Sequence, residues 1–361
     1  MDVSAKITGI TYKPFLCREL KLYDIKNLTD VFDKNASFIL NFDKDIQIAV
    51  SWWVSAKRTR SYPYARVYDT LGFQGKKVTI IPIFKDEGKE GDRDFLQWDT
   101  ISLMSLLGVY TIVSYYNRAD TSTRYDHKIT NQRFDTKHLQ YNFDSLFSYQ
   151  SDALHWNLSQ IDAVGKVAEK ALAAYKNISE KLNVDMHSFT SAHNRIQELL
   201  KGKDNFMNLS RNLAQKAQAR EITTIQPKEQ LAGTKATLTI KNYLGGYYYF
   251  TCDEAKLIKS SICLIEGKHS KKNMLPSTED IKDGLIKMIL FSNLKEVKIG
   301  DKEYTPLPIL KLTSNKLFSI DKLSSSRIAL LKLLLKESVI NKFEVLINGE
   351  KLQDCLPLIT E

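Results

Sequence analysis

Asp253, Glu266 and Lys268 are the residues whose types and spacing suggest chemistry, and all three fall in the stretch YYYFTCDEAKLIKSSICLIEGKHSKK, residues 247–272. Tyr247 to Cys252 is aromatic and β-prone, and Ser261 to Ile265 is a short apolar run, so the pattern predicts two strands paired as an antiparallel hairpin. Asp253 then closes the first strand, and Glu266 and Lys268 close the second. Residues two apart on a strand share a face, which points Glu266 and Lys268 the same way. Two carboxylates converging at the frayed end of a sheet offer the hard oxygen ligands that Mg²⁺ takes, and that ion keeps several waters, one of them a candidate nucleophile. A lysine beside them would orient the attacking water and offset charge growing on a phosphodiester, while the metal acts as Lewis acid. The residue types suit metal-assisted phosphodiester hydrolysis.

Asp253, twelve intervening residues and then Glu266-Gly267-Lys268 at the end of an apolar strand resembles the PD-(D/E)xK nuclease superfamily, to which many type II restriction endonucleases belong. The family's proline is replaced here by Cys252. The resemblance covers Thr234 to Leu294. It implies a Mg²⁺-dependent nuclease core with Asp253 and Glu266 as metal ligands and Lys268 assisting the water. It also requires a helix after the third strand and implies cleavage of double-stranded DNA at a specific sequence. Glu254 is the reserve ligand if the register slips by one residue.

A second Glu-x-Lys competes with the first. Lys85 to Asp94 reads KDEGKEGDRD, so Glu87-Gly88-Lys89 follows Asp69 after seventeen intervening residues, with Asp92, Asp94 and Asp99 as further carboxylates. It ranks second because Glu87 sits in a charged, glycine-interrupted stretch that reads as loop, whereas Glu266 continues an apolar strand.

The chain of 361 residues holds 52 basic and 42 acidic residues, a net charge of +10 that favours a polyanionic partner. Cys17, Cys252, Cys263 and Cys355 have neither CxxC nor Cys/His spacing, which suggests no zinc site or disulfide framework and fits a reducing cytoplasm. The longest apolar tract, Ile101 to Tyr116, contains serines and is too short to span a bilayer, so no membrane association is expected. There is no GxGxxG fingerprint and no Walker A lysine loop, which argues against a nucleotide-cofactor enzyme of small-molecule metabolism.

Ala36 to Phe42 and Ile46 to Val54 read as an antiparallel strand pair. Ser55 to Tyr68 interleaves Lys57, Arg58, Arg60 and Arg66 with tyrosines, and Pro63 argues against a helix there; this is the expected DNA-reading segment. Lys77 to Phe84, Phe95 to Leu107 and Val109 to Tyr116 form a strand, helix and strand, as in a parallel pair with a crossover helix. Asn117 to Tyr141 reads as long basic loops, and residues 152–213 as packing helices whose His155, His187 and His193 carry no assigned role. Residues 222–233 read as a linker, Thr237 to Tyr243 as a strand and Gly245-Gly246 as a turn. Beyond the Glu-x-Lys strand, Ser277 and Asp280 approximate a capping box opening a helix from Thr278 to Leu294, with Lys271, Lys272, Lys282 and Lys287 placed to line the DNA side. Tyr304 to Leu312, the helical Ser326 to Leu335 and a hairpin candidate from Phe343 to Leu352, turning at Asn348-Gly349, complete the C-terminal part.

The expected fold is α/β: a mixed-sheet N-terminal domain for DNA recognition over residues 1–150, a helical connector over 151–221, and a restriction-endonuclease-like α/β core over 222–361. The expected partner is double-stranded DNA, and a homodimer accords with the need to cut two strands. The alternatives are another nuclease built on the same core, for repair, RNA processing or defence, and a non-catalytic basic nucleic-acid-binding protein in which Asp253, Glu266 and Lys268 are ordinary hairpin residues.

Overall fold

The computed structural model describes residues 1–43, 46–58, 60–201, 234–242 and 247–356, with isolated positions between 208 and 219. The expected linker at 222–233 and the Gly245-Gly246 turn lie outside the described residues. The fold is α/β, and the chain divides into two units, one of residues Leu20–Asn212 and one that joins Met1–Glu19 to Leu213–Glu361. That division differs from the expected one at both ends. The first strand, β1 (Asp2–Ile7), belongs with the C-terminal residues, because it pairs in parallel with a strand more than 200 residues away, Val3 facing Leu238 and Ile7 facing Asn242.

The unit Leu20–Asn212 is built on a five-stranded sheet of β2 (Leu22–Asp24), β3 (Ser37–Asp43), β4 (Ile46–Trp52), β5 (Lys77–Pro82) and β8 (Val109–Ser114), in the order β2-β3-β4-β5-β8. Helix α1 (Leu28–Lys34) joins the first two of these, and α2 (Pro63–Thr70) follows β4. The expected β3–β4 antiparallel pair is present, and β5 and β8 run parallel with α3 (Trp98–Leu106) between them in sequence. Two small hairpins, β6 (Phe84–Asp86) with β7 (Arg93–Phe95) and β9 (Tyr116–Thr121) with β10 (Ile129–Phe134), complete the strands.

Four helices close the unit: α4 (Thr136–Ser148), α5 (Ala153–Asp162), α6 (Val164–Leu182) and α7 (Phe189–Leu200). They are not a connector. Trp156 of α5 lies in the apolar core with Phe38, Val50, Ile80 and Ile112, and its indole N–H donates to the Thr111 carbonyl at 2.8 Å. Asn157 beside it accepts from Thr111 N at 2.6 Å and donates to Val109 O at 2.9 Å, tying α5 to the end strand of the sheet.

Two local expectations fail for identifiable reasons. Pro63 does not exclude a helix but opens one: at the first helical position its missing N–H is a group that no intrahelical acceptor would meet, and its fixed φ already suits the helix. Asn117 to Tyr141 is not loop but β9, β10 and the start of α4, since Ile129 and Phe134 are buried anchors among the polar residues.

In the other unit, β11 (Thr234–Asn242), β12 (Tyr247–Ile258) and β13 (Ser261–Ser270) form an antiparallel meander. Helix α8 (Thr278–Phe291) follows, opened by the expected capping box of Ser277 and Asp280. Then come β14 (Lys295–Ile299) and the long β15 (Lys302–Ser314), which lies parallel to β13 from Ser261↔Thr305 to Ser270↔Ser314. Helix α9 (Ser325–Asn341) leads to β16 (Glu344–Ile347), parallel to β15, and the short β17 (Glu350–Lys351) and α10 (Leu352–Cys355) end the described chain. Pairings β1–β11, β11–β12, β12–β13, β13–β15, β15–β14 and β14–β1 link six strands in a closed circuit, with β16 and β17 branching from β15.

Candidate active site

The hairpin that carries the candidate residues is longer than the sequence suggests. The sequence closes the first strand at Asp253, but β12 runs on to Ile258, and the turn falls at Lys259 and Ser260, with Lys259 in the left-handed region at φ 54°. The β12–β13 ladder runs from Ile258↔Ser261 to Glu254↔Ile265 and ends there. The next residues on the two strands are Asp253 and Glu266. Past them β12 stays with β11, and β13 with β15. Asp253 and Glu266 therefore stand at a fork inside the sheet rather than at its outer edge.

The fork explains both partners of the strands' polar groups. Gly267, just beyond it, donates its backbone N–H to Asp253 Oδ2 at 2.8 Å, a side-chain acceptor taking the place of a ladder carbonyl. On the other strand the Thr251 carbonyl accepts from Lys287 Nζ at 3.3 Å. Lys287 comes from α8 and also meets Glu266 Oε2 at 2.6 Å.

Glu266 is only 2% exposed and has two ammonium partners, Lys287 at 2.6 Å and Lys268 Nζ at 3.1 Å from its other oxygen. Lys268 in turn meets Asp283 Oδ2 of α8 at 2.6 Å. Burial pushes the Glu266 carboxyl up, but the charges of Lys287 and Lys268 outweigh it and hold the group below the ordinary range. Burial lowers both lysines, and the attraction of Glu266, with Asp283 for Lys268 and Asp253 for Lys287, carries them well above the usual lysine value. Glu266, Lys268 and Lys287 are therefore charged at neutral pH. Three carboxylates against two ammoniums leave the cluster with a net charge of −1.

Helix α8 packs closely on the sheet at Gly284. A Cβ there would stand 2.7 Å from Leu310 Cδ1 and 3.3 Å from Lys268 Cε, so a larger residue would displace those side chains, Lys268 of the cluster among them. Asp283 was not singled out from the sequence. Lys287 was placed on the DNA side but is largely buried against Glu266, and Lys282 is 5% exposed, so neither lines an open surface. The signal for both was an i, i+4 Asp–Lys pair flanking a glycine within an amphipathic helix.

Glu254 takes no part. Side chains alternate along β12, so it faces away from Asp253, fully buried, with Lys256 Nζ at 2.6 Å and Lys311 Nζ at 3.4 Å. Cys252 is buried, and burial followed by the Glu266 charge raises its thiol far above the ordinary cysteine value. Its S–H meets the carbonyls of Glu254 at 3.0 Å and Ile265 at 3.2 Å, a packing role between the two strands.

The competing Glu-x-Lys is a turn. Glu87 follows β6, and its carboxylate meets Arg60 Nη1 at 2.5 Å and Lys85 Nζ at 3.1 Å. Burial raises the Glu87 carboxyl, and Lys85 and Arg60 overcome this and hold it below the ordinary range. Asp69 is buried in α2, and Lys89 N donates to Asp185 O at 2.8 Å.

Arg60 also binds Asp92 and, through Nε, Asp94 at 3.1 Å, while Arg58 meets Asp99 at 3.3 Å. Arg66 lies 4.5 Å over the Trp52 ring and donates to the Trp52 carbonyl at 2.9 Å. Of the four expected DNA-reading cations, Lys57 alone has an exposed side chain; the three arginines are half-buried and hold their own unit together. Lys271 and Lys272 are exposed directly after β13.

Among the described residues no group of three or more His, Cys, Asp or Glu is arranged to hold a metal, and no helix is long and apolar enough to cross a membrane. In comparisons with known proteins, no family model, no curated protein and no solved structure matches the chain.

Proposed function

We propose that the chain is a Mg²⁺-dependent endonuclease of the type II restriction class, cutting double-stranded DNA at a specific sequence. The observation that carries this reading is the fork, where Asp253 and Glu266 stand on adjacent strands and Lys268 shares the face of Glu266. Supporting it is the helix after the third strand of the meander, which the resemblance to PD-(D/E)xK nucleases requires.

The donor set suits Mg²⁺, which is commonly bound by one or two carboxylates together with substrate phosphate. Asp253 and Glu266 would hold it, and when bound it would supply Lewis-acid polarisation of the phosphate. The reaction is a hydrolysis: a water oxygen bonds to phosphorus as the bond to the leaving sugar oxygen breaks, the water gives one proton to solvent and the departing sugar oxygen takes one from solvent. Lys268, held as ammonium by Glu266 and Asp283, donates hydrogen bonds rather than accepting a proton, so its role is to orient the water and offset phosphate charge. Asp283 positions Lys268. Lys287 keeps Glu266 ionised.

The four cysteines are free thiols, in keeping with a cytoplasmic location, and a homodimer would supply a site for each DNA strand. A second reading, a non-catalytic nucleic-acid-binding protein, is favoured by one observation: Glu266 already has two ammonium partners, as a structural ion-pair cluster would. Incubating the protein with a long mixed-sequence duplex, with Mg²⁺ or EDTA, separates them. Discrete Mg²⁺-dependent fragments that vanish in Glu266→Gln and persist in Glu87→Ala support the restriction reading. A smear points to a non-specific nuclease, loss in Glu87→Ala alone moves the site to the turn after β6, and salt-sensitive binding without cleavage supports the second reading.

A further inference from the structure

The unit that carries the fork also contains a cavity of about 630 Å³ beyond the ends of β13 and β15, with Asn273, Lys316, Leu317, Lys322 and Arg327 among its lining. Its lining includes three cations and no carboxylate. Lys316 and Lys322 are exposed, and among the described residues neither forms an ion pair. Arg327 uses Nη1 on the Pro276 carbonyl at 3.3 Å and Thr278 Oγ1 at 3.5 Å, which fixes its guanidinium at the wall without neutralising it. Leu317, 93% exposed, is an apolar side chain that the fold leaves in solvent at the same rim.

The strands place this cavity close to the fork. Ser270 and Ser314 are the last paired residues of β13 and β15, and Ser314 Oγ donates to Asn273 O at 2.5 Å, drawing the two following loops together as one wall. Lys268 and Glu266 precede that end by two and four residues, about 7 and 13 Å at a strand's rise. A DNA strand carries one phosphate per about 3.4 Å of helix axis, so 13 Å corresponds to about four base pairs. Lys271 and Lys272, exposed between Ser270 and Asn273, continue the same run of positive charge. Ligands of parallel sheets sit beyond the carboxyl ends of the strands, which is where this cavity lies.

We propose that the cavity holds backbone phosphates of the duplex DNA whose neighbouring phosphodiester meets the fork, with Lys316, Lys322 and Arg327 as their partners. This rests on the nuclease reading for what lies at the fork, but the cavity's affinity for duplex is measured without cleavage. Three phosphates replace the carboxylate partners that these cations lack in the fold. A contact made by a lysine to a phosphate releases a counterion and adds about 0.9 to the salt slope, worth about tenfold in affinity at 0.1 M salt.

The test is titration of the full chain into a fluorescent mixed-sequence duplex in EDTA between 50 and 200 mM salt, for the parent, Lys316→Ala/Lys322→Ala and Glu266→Gln. Both lysines are exposed, so the double variant keeps its circular dichroism. The expected result is affinity about a hundredfold weaker at 0.1 M salt, with a slope shallower by about two, in the lysine variant and parental slope in Glu266→Gln. Unchanged affinity and slope in the lysine variant overturn the cavity assignment, as does a parent that binds no duplex at 50 mM salt. Single-stranded RNA of equal length that outcompetes the duplex overturns the choice of duplex DNA. Cleavage assays on the same proteins report the fork separately: a parent that cuts while the lysine variant binds normally refutes the cavity alone, and a parent that binds through the lysines but does not cut refutes the nuclease reading alone.

Discussion

Replacing Lys287 by methionine tests whether α8 completes the site. The substitution keeps much of the stem's volume but removes the ammonium 2.6 Å from Glu266 and 3.3 Å from the Thr251 carbonyl. The cluster then holds three carboxylates and one ammonium, and its charge goes from −1 to −2 in a site where Glu266 is 2% exposed. Breaking a buried pair by removing one partner costs about 3–5 kcal/mol, but Glu266 keeps Lys268, so the lower end, about 3 kcal/mol, is expected. Glu266→Gln removes one negative charge instead and leaves two ammoniums facing Asp253 and Asp283. In the double variant the net charge returns to −1, so it should lie nearer the parent than the sum of the singles, with a coupling of about 1–3 kcal/mol.

Urea unfolding followed by far-ultraviolet circular dichroism measures this, with a midpoint shift of roughly 1–2 M for 3 kcal/mol at an ordinary slope. All four tryptophans, at 52, 53, 98 and 156, lie in the unit Leu20–Asn212, so tryptophan emission reports that unit and should keep its midpoint. The pH dependence follows from the directions of the shifts. Glu266 has a depressed folded pKa, so its stabilisation is fully present above the unfolded value of about 4.3 and is lost as pH falls through the folded one. Lys287 is raised, so its share is present below about 10.4 and is lost as pH rises through its folded value. Lys287→Met should weaken both losses. Additive singles, or an acid limb identical to the parent's, would refute the account of α8 as the source of Glu266's charge partner.

Two further outcomes concern the other unit. Arg60→Ala leaves Glu87, Asp92 and Asp94 crowded in one turn; with the arginine side chain 20% exposed, the cost should be about 1–2 kcal/mol by thermal unfolding, while DNA affinity at 0.1 M salt changes less than threefold. Lost affinity with unchanged stability would instead make Arg60 a DNA contact. Burial holds the His138 imidazole below its ordinary value, with the nearby Val113 carbonyl, 3.0 Å from Nε2, opposing the shift. A lowered histidine contributes stability that is present above about 6.5 and lost as pH falls below it, so the tryptophan-reported midpoint should decline from pH 7 to 5 in the parent and less in His138→Gln.

What the sequence discloses here is local, and what it hides depends on partners distant in the chain. The parallel pair around α3, the Ser277 and Asp280 cap and the Asn348-Gly349 turn are written in adjacent residues, and each forms as read. Pairing of β1 with β11 cannot be read that way, because Val3, Ala5 and Ile7 alternate as in any half-buried strand and carry no sign of which edge they cover. For the same reason residues 151–221 read as a connector: their apolar stripes are plain, but the atoms that dock α5, Asn157 and the Trp156 indole, answer to backbone groups of β8.

The fork itself shows why the candidate site was found and its second half was not. Asp253, Glu266 and Lys268 are legible because a strand presents residues at fixed alternation, so type and spacing suffice. Asp283 and Lys287 enter from α8, and their position depends on how near a helix lies to a sheet, here with Gly284 packed against Leu310 and Lys268. A buried carboxylate with one ammonium would be a simple pair. With Lys268 already shared with Asp283, Glu266 needs the second ammonium from α8 to remain ionised at 2% exposure. The ion-pair cluster on the hairpin is therefore incomplete until the helix after the third strand supplies the counter-charge.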